Sequence, residues 1–146
     1  MFLIALTLTI PALCFAEVRK EYYPSGKLKI EADSTKGIYK IYYENGQLEE
    51  EGNFKNFKLN GIVKSYYRSG QLKGERNFKD DKRKGIYKIY YENGQLRIEG
   101  NYKKGKLNGI SKFYYESGRI AYIDTFKNGK MINRKEYDEN GKLVKE

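Results

Sequence analysis

The groups best placed to do chemistry are carboxylates. Glu49, Glu50 and Glu51 stand in a row, and Asp80 with Asp81 makes a second cluster. Paired carboxylates can act as acid and base in glycoside hydrolysis, provided their surroundings set their pKa values apart. The rest of the sequence gives such a pair no help. There is no histidine, and the single cysteine, Cys14, lies in an apolar leader. The commonest bases, nucleophiles and zinc ligands are therefore missing after residue 16. Asp80 and Asp81 lack the ligand spacing of calcium loops. Strand alternation places Glu50 opposite Lys40 as an ordinary surface pair. We expect no catalytic residue, no metal site and no cofactor.

Binding chemistry has better material. The 146 residues include 15 tyrosines and no tryptophan, and 29 Lys and Arg outweigh 19 Asp and Glu for a net charge of +10. Tyrosine supplies a large rigid ring with a polar tip, which suits recognition surfaces. The tyrosines come in pairs, and the pairs recur. Tyr22-Tyr23-Pro24-Ser25-Gly26-Lys27-Leu28 returns as Tyr42-Tyr43-Glu44-Asn45-Gly46-Gln47-Leu48 and as Tyr66-Tyr67-Arg68-Ser69-Gly70-Gln71-Leu72. Tyr90-Tyr91-Glu92-Asn93-Gly94-Gln95-Leu96 and Tyr114-Tyr115-Glu116-Ser117-Gly118-Arg119-Ile120 follow, and Tyr137-Asp138-Glu139-Asn140-Gly141-Lys142-Leu143 is a degenerate last copy. The glycines Gly26, Gly46, Gly70, Gly94, Gly118 and Gly141 are 20, 24, 24, 24 and 23 residues apart. A fixed period of this size marks a repeat architecture.

Each unit reads as a β-hairpin. Runs rich in Tyr, Ile and Phe flank a Pro-Ser-Gly, Glu-Asn-Gly or related turn. Proline at the first corner and glycine at the third predict a type I turn closed by a glycine bulge. Tyr43 then faces Gln47 and Tyr42 faces Leu48. Simple alternation puts Ile38, Tyr42, Leu48 and Phe54 on one apolar face, with Ile62, Tyr66, Leu72, Phe78 and their later equivalents. The opposite face takes Tyr39, Val63, Tyr87 and Ser111, together with Tyr43, Tyr67, Tyr91 and Tyr115. The expected fold is all-β: an elongated single-layer antiparallel meander of repeated hairpins over residues 17–146. It has about six units, the first shortened.

Residues 1–16 read as a separate element. An uncharged apolar run ends at Cys14-Phe15-Ala16 before the charged region starts at Glu17. This pattern predicts a signal-peptide helix cleaved after Ala16, and it is short for a membrane span. Leu13 before Cys14 argues against lipid attachment. We therefore expect an exported chain, periplasmic, associated with the outer surface or secreted.

The units resemble the bacterial variant of the MORN repeat, the membrane occupation and recognition nexus motif. That pattern is Gly-x-x-x-x-Tyr-Tyr-x-Asn-Gly-x-Leu followed by an aromatic and a Gly-x-Leu-x-Gly turn. Residues Gly37 to Gly61 and Gly85 to Gly109 match it almost throughout. The resemblance implies a hairpin ribbon used for protein or lipid contact. Bacterial relatives are often labelled antitoxins of toxin–antitoxin systems, which fits an exported chain poorly.

Three functional readings follow. The first is an exported, non-enzymatic scaffold at the cell envelope or outside the cell, binding a protein through Tyr43, Tyr67, Tyr91, Tyr115, Tyr39 and Tyr87. The second uses the edge on which Lys55, Lys58, Lys82, Arg83, Lys84, Lys103, Lys104 and Lys106 gather. That edge suits anionic lipid or lipopolysaccharide. The third is an antitoxin. Nucleic acid matches the charge but not the export, and no nucleic-acid fold motif is present. Both terminal strands would leave open edges, which invites end-to-end self-association.

Overall fold

The computed structural model describes residues 17–146, so the signal segment 1–16 lies outside the described residues. The strands are β1 (Val18–Tyr22), β2 (Leu28–Asp33), β3 (Ile38–Tyr42), β4 (Leu48–Lys55) and β5 (Lys58–Leu59). Next come β6 (Gly61–Tyr66), β7 (Leu72–Lys79), β8 (Lys82–Arg83), β9 (Gly85–Tyr90) and β10 (Leu96–Lys103). The last five are β11 (Lys106–Leu107), β12 (Gly109–Tyr114), β13 (Ile120–Lys127), β14 (Lys130–Tyr137) and β15 (Leu143–Lys145). They form one antiparallel sheet in the order β1-β2-β3-β4-β6-β7-β9-β10-β12-β13-β14-β15. Among the described residues, the two-residue strands β5, β8 and β11 pair only with β4, β7 and β10. The meander is thus as the repeat implies.

The tyrosine turns have the expected geometry. Gly46 N–H donates to the Tyr43 carbonyl at 2.8 Å, and Tyr43 N–H donates to the Gln47 carbonyl at 2.8 Å. Gly46 takes φ 89°, in the left-handed region where a Cβ is costly. The same two bonds close all six turns.

A further bulge changes which side chains share a face. Tyr42 pairs with Leu48, but Ile41 pairs with Glu50, so Glu49 is an extra residue in the ladder. Lys29, Lys73, Arg97, Ala121 and Val144 occupy the same place in the other hairpins. One extra residue reverses the alternation beyond it. Phe54, Phe78, Tyr102 and Phe126 therefore lie with Tyr39, Val63, Tyr87 and Ser111, not with Ile38, Ile62, Ile86 and Ile110. The face expected to be apolar is the open one: Ile62, Ile86 and Ile110 are 52%, 66% and 57% exposed. Lys40 likewise faces Glu51 rather than Glu50.

The other face packs. Val63, Ser111 and Asp124, with Gly52, Gly74 and Gly100, are buried there. Partners across each hairpin compensate in volume: Tyr39 with Gly52, Val63 with Arg76, Tyr87 with Gly100, Ser111 with Asp124. A Cβ on Gly52 would come within 2.8 Å of the Tyr39 ring and 2.9 Å of Val63 Cγ2. Close-packed interiors do not absorb such overlap. With so little aliphatic burial, the sheet depends on these interlocked pairs.

The long strands β4, β7 and β10 also form flaps at the lysine edge. Asn56-Phe57 and Asp80-Asp81 turn with both φ values positive, between 49° and 64°. Such mirror-image turns match the twist of a two-residue hairpin. After each flap the chain swings into the next hairpin at Gly61, Gly85 or Gly109, at φ 110°, 73° and 91°. β14 has no such glycine and stays paired to β13 from Lys130 to Glu136, with one bulge at Ile132.

Candidate interaction surfaces

The second tyrosine of each pair joins one hairpin to the next. Tyr43 Oη donates to the Tyr66 carbonyl at 2.9 Å, Tyr67 to Tyr90 at 2.7 Å, Tyr91 to Tyr114 at 2.7 Å and Tyr115 to Tyr137 at 2.9 Å. Tyr23 does the same to Tyr42 at 2.7 Å. Their rings carry cations. Lys29, Lys73 and Arg97, all bulged residues, sit 5.4–5.5 Å from the rings of Tyr23, Tyr67 and Tyr91. At Tyr43 the bulged residue is Glu49, and Arg68 from the next turn takes the ring at 5.3 Å instead. Burial, then Glu49, push the Tyr43 hydroxyl pKa up against the pull of Arg68.

Tyr39 and Tyr87 belong to the packed face. Tyr39 donates to Glu50 Oε1 at 2.9 Å, and burial followed by that carboxylate raises its pKa. Tyr87 lies against Tyr102 with ring centroids 5.1 Å apart, and its pKa is raised chiefly by burial. The six candidate tyrosines thus divide into four that join units and two that fill the packed face.

The carboxylate run comes apart in space. Glu49 occupies the bulge beside Tyr43, Glu50 accepts from Tyr39 on the packed face, and Glu51 accepts from Tyr66 at 2.7 Å on the open face. Three adjacent acids therefore serve three separate environments and do not converge on one atom.

The open face carries a pattern that simple alternation hid. Lys20, Glu31, Lys40, Glu51, Lys64, Glu75, Lys88, Glu99 and Lys112 follow one another strand by strand across the sheet. Lys20–Glu31, Lys64–Glu75 and Lys112–Glu99 close to 3.2, 3.8 and 3.6 Å. Each exposed pair contributes little, but like charges at these positions would repel, so the alternation fixes register. Beside this row stands the exposed isoleucine row. On its far side lies a Tyr–Leu row, where burial and then Glu51 or Glu99 push Tyr66 and Tyr114 to about 12.

The lysine edge is where the sequence places it. Lys55, Lys58, Lys82, Arg83, Lys84, Lys103, Lys104 and Lys106 are all exposed on the flap side. Arg83 is also tied inward, donating to Tyr102 Oη at 2.9 Å. Phe57 stands 70% exposed between Lys55 and Lys58. Sequence reading missed the ion pair that closes the packed face. Asp124, 1% exposed, receives Arg134 Nε and Nη2 at 2.7 Å each, and Arg134 lies 4.8 Å from the Tyr122 ring. Among the described residues, no cluster of three or more Asp, Glu, Cys or His has a metal-binding arrangement.

The family described as MORN repeat variant matches residues 18–34, 35–56, 59–80, 83–104, 107–128 and 133–146. The chain belongs to that family. Its six matched units coincide with the six tyrosine turns, and MORN repeats of this kind make a scaffold consistent with protein or lipid contact. No curated protein matches the chain. Among solved structures, S. aureus TarM in complex with Fondaparinux, alpha-GlcNAc-glycerol and UDP is 12% identical with a TM-score of 0.44, covering 78% of this chain and 20% of that one. A second TarM structure is 11% identical at 0.44, covering 79% and 20%. A GtfA/B complex bound to UDP and GlcNAc is 11% identical at 0.33, covering 93% and 24%. The MORN chain thus spans a fifth to a quarter of those proteins, and at these scores the likeness carries no functional argument.

Proposed function

We propose that this MORN-repeat chain is a non-enzymatic, exported scaffold that binds a protein partner at the cell envelope or outside the cell. The observation that carries the reading is the open face. Ile62, Ile86 and Ile110 recur in register, 52–66% exposed, beside a row of alternating charge. A periodic apolar row without a covering layer is the usual mark of a contact surface. The partly exposed rings of Tyr43, Tyr67, Tyr91 and Tyr115 extend contact to the other face.

The test has two arms. A C-terminally tagged chain is fractionated in its native cell, and its mature N-terminus is determined by mass. A product beginning at Glu17 outside the cytoplasm supports export; a full-length cytoplasmic product overturns it and makes a toxin partner the next search. Envelope extract is then passed over the wild type and an Ile62→Ser, Ile86→Ser, Ile110→Ser variant. The reading requires saturable binding by the wild type and its loss in a folded variant.

A second reading is favoured by the flap edge, which carries eight exposed basic residues and, between Lys55 and Lys58, the exposed Phe57. That edge suits an anionic lipid surface. Liposome binding that falls steeply with salt, and disappears on changing Lys103, Lys104 and Lys106 to Glu, would establish it over the protein reading.

A further inference from the structure

The three junctions that follow a flap obey one rule. β4 meets β6 through Glu50 opposite Ser65 and Glu51 opposite Lys64. β7 meets β9 through Gly74–Ile89 and Glu75–Lys88, and β10 meets β12 through Ile98–Phe113 and Glu99–Lys112. Each of these three junctions is two residue pairs long, with a glutamate opposite a lysine on the open face, whereas β2–β3 runs four pairs and β13–β14 six, the latter with Ile123 opposite Lys135.

The two ends of the sheet carry the halves of one more such junction. At the end of β15, Lys145 and then Glu146, just past the strand, follow Leu143 and the bulged Val144 as Glu50 and Glu51 follow Leu48 and Glu49. On β1, Lys20 and Glu21 precede Tyr22 as Lys64 and Ser65 precede Tyr66. The same register would set Glu146 opposite Lys20 and Lys145 opposite Glu21, so both pairs are of opposite charge. The open-face charge row runs from Lys20 at one end to Lys135 and its ion-pair partner Glu146 at the other, with one break at Ile123. Every residue of β1 and β15 is exposed, and no other strand pairs with their outer edges among the described residues.

We propose that a second copy of this chain docks head to tail, β15 of one on β1 of the next, in the register of the internal junctions. This deepens the scaffold reading by making the chain its own partner. The contact joins different surfaces of the two copies and does not close, so it propagates into an open string. It is weaker than an internal junction, because Asp138 stands where the other units place the joining tyrosine. Asp138 Oδ1 instead accepts from Asn140 and Lys142 N–H at 2.9 Å.

Sedimentation of the purified full chain over a range of concentrations tests this without any envelope partner, so its failure is distinct from failure of the pull-down. The expected result is a mass that rises with concentration beyond a dimer and falls with added salt. Lys20→Glu or Glu146→Lys alone should weaken association roughly threefold to tenfold, and the two together should restore it. Because both residues also have partners within their own chain, Asp138→Tyr supplies an independent arm. It adds the hydroxyl aimed at the next copy's Tyr22 carbonyl and should tighten association severalfold. A chain that stays monomeric, stops at a dimer, or ignores both charge reversals overturns the proposal.

Discussion

The middle of the sheet and its C-terminal unit treat the same stretch of sequence differently. After each flap in the middle, a glycine with positive φ swings the chain aside into the next hairpin, as at Gly85. In the last unit Asn133 stands at that position, and β14 runs on from Lys130 to Tyr137 with a single bulge at Ile132 in place of the swing. The consequence is a change of face. Ile110, just past its hinge, is exposed, whereas Arg134, one period later, lands opposite Asp124 on the packed face. A glycine hinge in one case and a one-residue bulge in the other thus decide whether the next strand swings aside or stays paired along β13.

The largest effect should come from opening that closure. Arg134→Ala leaves the Asp124 carboxylate, 1% exposed, without its cation. Isolating a buried charge in this way costs about 3 kcal/mol. Units in a repeat array contact only their neighbours, so the loss should appear first as faster amide exchange in β13 and β14. Equal exchange along the whole sheet would mean that the C-terminal unit is no special closure.

An interior counterpart is Gly100→Ala. The added Cβ would lie 2.6 Å from Tyr87 Cε1 and against Ser111 Oγ. Overpacking of this kind costs about 2 kcal/mol. Pairing it with Tyr87→Val, which copies Val63 opposite Arg76, should recover part of the loss in denaturant melts.

The hinge itself is the next test. Gly85→Ala meets no atom within 4 Å, so its cost is backbone conformation alone at φ 73°. That is about 1 kcal/mol. The reverse change, Asn133→Gly, frees a position that has no left-handed φ and should destabilise by less than the hinge substitution. A hinge penalty no larger than that of Asn133→Gly would sink the idea that positive φ separates the two regions.

The same contrast shows how far the sequence could be read. The tyrosine turns were legible because a turn needs glycine at a fixed offset, and the unit count and lysine edge followed from them. The faces were not. The bulge that decides them is occupied by Lys29, Glu49, Lys73, Arg97, Ala121 and Val144, which share no size, charge or propensity. Since any residue can bulge, no residue type announces it, and every face assignment beyond it reversed. The charge row, the open isoleucines and the Asp124–Arg134 pair were all hidden behind that one residue of register.

The smallest effect is a matter of pH. Tyr66 and Tyr114 carry an upward shift to about 12, from burial and then the hydrogen-bonded Glu51 or Glu99. The unfolded chain releases these protons near pH 10. Between about pH 10 and 12 the folded chain therefore holds protons that the unfolded chain has lost, and stability falls as pH rises. Their contribution is complete below pH 10 and gone above the folded value. Ultraviolet titration should show late-ionising tyrosines, and Glu51→Gln with Glu99→Gln should move them to lower pH. Because both glutamates also sit in the charge row, the variant should be compared with Glu75→Gln, which breaks the row without touching either shifted hydroxyl. If Glu75→Gln moves the late tyrosines equally, the shift belongs to the row as a whole rather than to the two hydrogen bonds.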